Sequence, residues 1–240
     1  MNKKEIIVIG DVHGRTFWRD AVKGDVEDKF FIFLGDYIDP YPSEAITPKM
    51  AFEVFKEIVD FKKQHMVNVI LLIGNHDATY MSPKLENDRC DYLHMAEINA
   101  FIEENRRLFQ MCYMEERGKK FLFSHAGIMP GWLDECGLEK DETLFDRLNQ
   151  MWWDDDPELY EHLSKVSFYR MGMSKYGSMV WADIHEMARL DDEKCVMKDY
   201  YQIIGHTRVN DERGFICSAF ADLDCCHPFR ITPFGKIEAI

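Results

Sequence analysis

No apolar run in this 240-residue chain is long enough to cross a bilayer. The longest, such as Val69–Ile73, stop after five residues, whereas a spanning helix needs about 20. The opening MNKKEIIVIGD meets an acid after five apolar-or-glycine positions, too early for the core of an export signal. A cytoplasmic protein with no membrane partner is therefore expected. Basic charge is also scarce: 29 Lys and Arg face 43 Asp and Glu, a net charge of −14. No Lys/Arg cluster is dense enough to neutralise a run of phosphates, which argues against nucleic acid as a partner. An anionic substrate must then be attracted by a local feature. The seven cysteines are odd in number and show no C-x-x-C spacing, so they read as reduced thiols. Cys225-Cys226 is an adjacent pair, but no second pair completes a zinc set. Internal repeats and low-complexity tracts are missing too.

What remains is a globular profile, 46% hydrophobic and 13% aromatic, of a length that suits one large α/β domain spanning residues 1–240. Five short apolar runs organise it: IIVIGDVH (6–13), FIFLGDYID (31–39), VILLIGNHD (69–77), FLFSHAG (121–127) and QIIGHT (202–207). Each is continuous rather than alternating, the pattern of a strand buried on both faces in a largely parallel sheet. Each then stops at Gly or Ser followed by Asp, Asn or His. In open α/β sheets the loops at the carboxyl ends of the strands converge on one crevice, so five polar strand ends are expected to face the same site.

Helices fit between the runs. Thr47 can cap and Pro48 can open a helix whose Ala51, Val54, Phe55, Ile58 and Val59 repeat at helical spacing. A weaker pattern at Ile98, Phe101, Ile102, Leu108 and Phe109 predicts a second helix. Leu144, Leu148, Met151 and Trp152 predict a third, ended by the solvated turn Asp154-Asp155-Asp156-Pro157. GFICSAF, PFRIT and GKIEAI read as antiparallel strands, the last two joined by a turn at Pro233-Phe234-Gly235. The expectation is two sheets with helices outside.

The strand ends supply Asp11, His13, Asp36, Asp39, Asn75, His76, Asp77, His125 and His206. Carboxylate, amide oxygen and imidazole without thiolate suit a hard-to-borderline divalent ion such as Mn²⁺, Fe²⁺ or Zn²⁺. Two such ions roughly 3.5–4 Å apart can share a carboxylate, hold a nucleophile and neutralise a phosphoryl group.

As an ordered set, GDVHG, GDYID, GNHD, SHAG, the VWAD of 180–183 and GHT resemble the metallophosphoesterases, in particular the serine/threonine protein phosphatases and symmetrical dinucleoside-tetraphosphatases. The resemblance runs from Ile6 to about Phe220. It implies a four-layer α/β/β/α sandwich of two mixed sheets with a dimetal site at strand carboxyl ends. It implies that Asp11, His13 and Asp36 hold one ion, and Asp36, Asn75, His125 and His206 the other, with Mn²⁺ first in order. His76 would be the general acid, oriented by Asp39, acting after attack by a hydroxide that bridges the ions. A carboxylate partner is expected to keep His76 protonated near neutral pH.

Two departures from the pattern stand out. The phosphatase branch reads G-D-x-x-D-R-G, its arginine clamping phosphate, whereas Pro40 and Tyr41 stand here. Arg15, beside the first expected ligands, and Arg208, beside the last, are the candidate replacements, and the resemblance implies a second phosphate arginine between the Trp-x-Asp stretch and the final histidine, where Arg189 stands; each of the three is also readable as a solvated, ion-paired side chain. Asp77, where phosphatases have Glu, is expected to support the ligands rather than join them. The implied activity is hydrolysis of phosphomonoesters, from phosphoprotein or small-molecule substrates. The alternative is dinucleoside-polyphosphate hydrolysis, with Trp152, Trp153 or Trp181 stacking on a nucleoside; the last possibility is a non-catalytic scaffold. Residues from about Gly131 to Asp199 are expected to set substrate choice.

Overall fold

The fold follows from how each apolar run hides both of its faces. A computed structural model describes residues 4–188 and 196–240. Its strands are β1 (Glu5–Ile9), β2 (Lys29–Phe33), β3 (Val69–Leu72), β4 (Phe109–Gln110), β5 (Cys112–Glu116), β6 (Lys120–Ser124), β7 (Tyr200–Ile204), β8 (Phe215–Ile216), β9 (Phe220–Asp222), β10 (Phe229–Ile231) and β11 (Ile237–Ala239). They form two mixed sheets, ordered β11-β10-β1-β2-β3-β4 and β5-β6-β7-β9-β8. In the first sheet β1 to β4 are parallel, and the β10–β11 hairpin adds antiparallel to β1. In the second β6, β7 and β9 are parallel, flanked by antiparallel β5 and β8.

Side chains alternate across a strand, and β1 shows the consequence. Ile6 and Val8 enter a cluster with Ile32, Leu34, Phe121, Phe123 and Ile203, drawn from both sheets. Ile7 and Ile9 enter another with Phe55, Ile58 and Val59 of the covering helix. The sheets therefore pack face to face with helices outside, and each buried Ile or Phe contributes about 1.5–3 kcal/mol. The helix Pro48–Gln64 begins as expected: Thr47 Oγ1 accepts from the Met50 N–H at 3.2 Å. Phe55 stacks on Tyr37 with centroids 4.8 Å apart. The helix Leu144–Trp153 buries Leu144, Leu148 and Trp152. Its Asn149 accepts from the Met111 and Cys112 N–H groups at 2.8 and 3.1 Å and donates to the Cys112 carbonyl, pinning the corner between β4 and β5. Asp156 then caps the helix Pro157–Leu163.

Two elements differ from expectation. The helix predicted to reach Phe109 ends at Asn105, and after one 3₁₀ turn Phe109 opens β4. Fully buried, Phe109 packs against Tyr37 and Phe55, so the edge of the sheet overrides helical periodicity. GFICSAF is not one strand but the hairpin β8–β9, closed by the Cys217 N–H donating to the Phe220 carbonyl at 3.0 Å. No described helix is long and apolar enough to cross a membrane.

Candidate functional site

Parallel pairing brings the ends of β1, β2 and β3 to one edge, and the ends of β6 and β7 meet them across the sandwich. Asp11, His13, Asp36, Asp39, Asn75, His76, His125 and His206 are gathered there, all at most 9% exposed. Asp36 sits at the centre: its Oδ2 lies 3.6 Å from His13 Nε2 and 3.5 Å from His125 Nε2. His125 Nε2 is 3.0 Å from Asn75 Oδ1 and 3.2 Å from His206 Nδ1. Asp11 Oδ2 lies 3.9 Å from His13 Nε2. Among the described residues two groups could each hold an ion, His13–Asp36–His76 and Asp36–His125–His206, and Asp36 belongs to both. Neither contains a cysteine, and Cys225 and Cys226 are free thiols.

The backbone is bent to make this convergence. His13, Asp36, Asp39 and His206 have φ of 47, 53, 58 and 70°, left-handed conformations that cost about 1 kcal/mol or more each outside glycine. The second contact of each ring fixes its direction: His13 Nδ1 meets the Ile38 carbonyl at 2.7 Å, and His125 Nδ1 the Leu34 carbonyl at 2.9 Å. Both therefore turn Nε2 inward as a lone pair. Glycine before the polar residue has a definite use at two strand ends. A Cβ on Gly74 would overlap the Asp36 carboxylate, and one on Gly205 the Asp11 carboxylate. Asp77 is buried and accepts from the N–H groups of Asp36, Tyr37 and Gly74 at 2.8, 3.0 and 2.9 Å. It ties two of the loops together behind the centre.

The residues fit a cationic group. His206 Nε2 is buried with no hydrogen-bond partner among the described residues, which costs about 1–3 kcal/mol as long as none is supplied. Behind Asp11 stand two further buried acids, Asp222 and Asp224, whose Oδ2 atoms are likewise unpartnered. Burial pushes the carboxyls of Asp36, Asp222 and Asp224 well above their ordinary range, with Asp11 adding repulsion at each. Burial raises Asp77 to about 7. Divalent ions placed here would compensate this concentration of negative charge. The imidazoles move in the opposite direction. Burial holds His13 and His206 well below 6.5, helped at His13 by His76 and Arg89 and at His206 by Arg170 and His125. Neutral imidazole is the form that binds metal.

His76 and Asp39 are paired, Nδ1 to Oδ2 at 2.9 Å. Tyr80 donates its hydroxyl to the other Asp39 oxygen, and Asn87 Nδ2 donates to Oδ2 at 3.1 Å. Burial outweighs the Asp39 hydrogen bond and, with Arg89 nearby, lowers the His76 pKa below 6.5. Arg89 Nη2 lies 2.8 Å from His76 Nε2, so that nitrogen accepts and Nδ1 carries the hydrogen donated to Asp39.

A cavity of about 820 Å³ opens over the centre, a size typical of small-molecule sites. The interval expected to set substrate choice supplies one wall, including Tyr169, Arg170, Met171 and Trp181; the loop 86–92 supplies the other. Arg15 and Arg208 are not among the lining residues. Arg15 is engaged by both Glu44 oxygens, and Arg208 is exposed. Arg189 lies outside the described residues. The arginines that do face the cavity, Arg89 and Arg170, escaped sequence reading because neither sits beside a strand end. Of the tryptophans, Trp152 is fully buried and Trp153 donates to the Phe109 carbonyl, whereas Trp181 lines the cavity edge-on to His206.

The family model described as calcineurin-like phosphoesterase matches residues 4–207. Among solved structures, the chain is similar to a cold-active protein-tyrosine phosphatase of the psychrophile Shewanella sp. The TM-score is 0.65 at 15% identity, covering 98% of this chain and 80% of the other. It is also similar to a protein serine/threonine phosphatase from Saccharomyces cerevisiae, with a TM-score of 0.57 at 16% identity, covering 97% and 74%.

Proposed function

The chain belongs to the calcineurin-like phosphoesterases, a family of hydrolases, and from that premise we propose that it hydrolyses phosphomonoesters as one domain, residues 1–240, using two divalent cations, Mn²⁺ foremost. Asp11, His13 and Asp36 would hold one ion and Asp36, Asn75, His125 and His206 the other. The observation that carries this reading is Asp36, whose carboxylate lies between two imidazoles that belong to separate donor groups. When bound, the ions would supply an activated water and neutralise phosphoryl charge. The protein's own part is orientation. Asp39 fixes the orientation of His76 through Nδ1 and leaves Nε2 toward the cavity as a lone pair, which would have to take up a proton before passing one to a leaving oxygen. Burial of the whole set excludes bulk water and strengthens each electrostatic contact.

A second reading, hydrolysis of dinucleoside polyphosphates at the same centre, draws on Trp181, whose ring could support a base within a cavity larger than a phosphate needs. Turnover of phosphopeptides, nucleotides, sugar phosphates and dinucleoside polyphosphates with Mn²⁺, Fe²⁺ and Zn²⁺ in turn distinguishes them. Preference for monoesters, silenced by His76→Asn, is the expected result. Metal-loaded protein inert on every ester and anhydride would return the chain to the scaffold reading.

A further inference from the structure

Arg89 is a mostly buried cation with no close ion pair among the described residues. Its side chain is 13% exposed, and its nearest carboxylate contact among the described residues is Asp88 Oδ1 at 3.9 Å from Nε, on a side chain that is 92% exposed. Its strong contacts are all uncharged. Nη1 donates to the Asp39 carbonyl at 2.5 Å, Nη2 donates to His76 Nε2 and lies 3.5 Å from His13 Nε2, and the guanidinium lies 3.9 Å over the Tyr41 ring. Of the other arginines near the site, Arg15 is satisfied by Glu44 and Arg170 by Asp183 at 2.8 Å together with Thr207, whereas Arg208 is exposed to solvent, its guanidinium 5.9 Å from the Tyr41 ring. A buried charge left unpaired costs several kcal/mol, so a guanidinium pointing into a cavity this way is matched to an anion that arrives from outside.

Resting on the phosphoesterase reading, we propose that Arg89, held by Tyr41, grips the terminal phosphoryl group and makes the enzyme select dianionic monoesters over diesters. The two residues that break the G-D-x-x-D-R-G pattern then have a use. Pro40-Tyr41 removes an arginine from that loop and installs the ring on which an arginine from the loop 86–92 lies. A terminal phosphoryl group offers three non-bridging oxygens and nearly two charges, whereas a diester offers two and one; a planar guanidinium discriminates strongly between them. Arg89 also cannot remain on His76 Nε2 while that nitrogen faces a leaving group. An incoming phosphate gives the guanidinium a charged partner to exchange for a neutral one. Asn87 Oδ1, which accepts from the Arg89 N–H at 2.9 Å, keeps the loop in place during the exchange.

The test compares wild type, Arg89→Ala, Arg89→Lys and Tyr41→Leu as full-length, metal-loaded protein. Activities are measured on 4-nitrophenyl phosphate and bis(4-nitrophenyl) phosphate, with metal content and inorganic-phosphate affinity by calorimetry. Arg89→Ala should lose about 100-fold in kcat/KM on the monoester, narrow the monoester-to-diester ratio at least about tenfold, weaken phosphate binding and leave metal content unchanged. Arg89→Lys should fall between, keeping charge without the fork, and Tyr41→Leu should weaken phosphate binding in the same direction. Equal losses on both esters, or unchanged phosphate affinity, overturn the proposal. If wild type hydrolyses neither ester, the functional reading fails separately. Phosphate affinity then decides on Arg89 alone: loss in Arg89→Ala upholds the anion grip, and no loss overturns it.

Discussion

Gly205→Ala isolates one contact on which the centre depends. Gly205 does not have a left-handed φ, so alanine there carries no backbone penalty of the kind that Gly35 or Gly127 would show. The added Cβ meets a single obstacle, Asp11 Oδ1; its next neighbours, Asp11 Cγ at 3.6 Å and Leu34 Cβ at 3.7 Å, are at ordinary contact distance. The carboxylate oxygen must retreat by roughly 1 Å to restore van der Waals separation. That oxygen accepts from the His206 N–H at 3.0 Å, and stranding a buried N–H costs about 1–3 kcal/mol. At about 2–4 °C per kcal/mol for a chain of this size, the thermal midpoint should drop by roughly 2–12 °C. Function should suffer more than folding. Displacing one of the expected ligands by that distance should cost about 100-fold in turnover, with metal affinity falling about 10- to 100-fold. The assay is a double-mutant cycle with Asp11→Ala, read by metal titration and by melting. In the Asp11→Ala background the methyl group finds room, so Gly205→Ala should add almost nothing. Wild-type metal affinity in Gly205→Ala, or strictly additive losses in the double mutant, would refute the reasoning.

Three further outcomes are expected. Asp36→Ala should abolish binding of both ions rather than one, because the two donor groups share its carboxylate; elemental analysis retaining one ion per chain contradicts this. In metal-free protein the His13 ring should titrate below 6.5, so its contribution to stability is complete above the unfolded value and is lost as pH falls through the folded one. Arg89→Gln removes a neighbouring cation and should raise that midpoint by NMR; a downward move refutes the assignment of cause. Tyr80→Phe removes the donor to Asp39 and the acceptor for the Asp91 N–H at 2.7 Å. It should cost about 1–3 kcal/mol and lower kcat while KM stays put; a change in KM alone speaks against a role through Asp39.

How far the sequence revealed this site depends on the range of the physics involved. Strand ends are legible because a buried strand and the turn that follows it are local. The run IIVIGDVH declares both, and parallel pairing brings Asp11, Asp36 and Asn75 to one edge whatever the loops do. The two-sheet division was legible from the same runs, but β4 was not. Phe109 continues a helical pattern in sequence and becomes a strand only because Tyr37 and Phe55, distant in sequence, await it. The two influences on the His76 pKa differ in the same way: the Asp39 hydrogen bond, which raises it, can be anticipated from motif spacing, but the burial that lowers it belongs to the assembled core.

The arginines show the same limit in its sharpest form. Arg15 and Arg208 neighbour expected ligands in sequence, yet proximity along the chain does not determine which acid a side chain meets first. Glu44, 29 positions from Arg15, engages it through two nitrogens. Arg89 has no motif around it in KLENDRCD and becomes meaningful only once its charge is found without a close acid among the described residues, over the ring of Tyr41. A departure from a family pattern therefore identifies a missing interaction, but the replacement has to be sought in space. An arginine that its own protein leaves unneutralised beside a cavity is a stronger indication of that replacement than one adjacent to the motif.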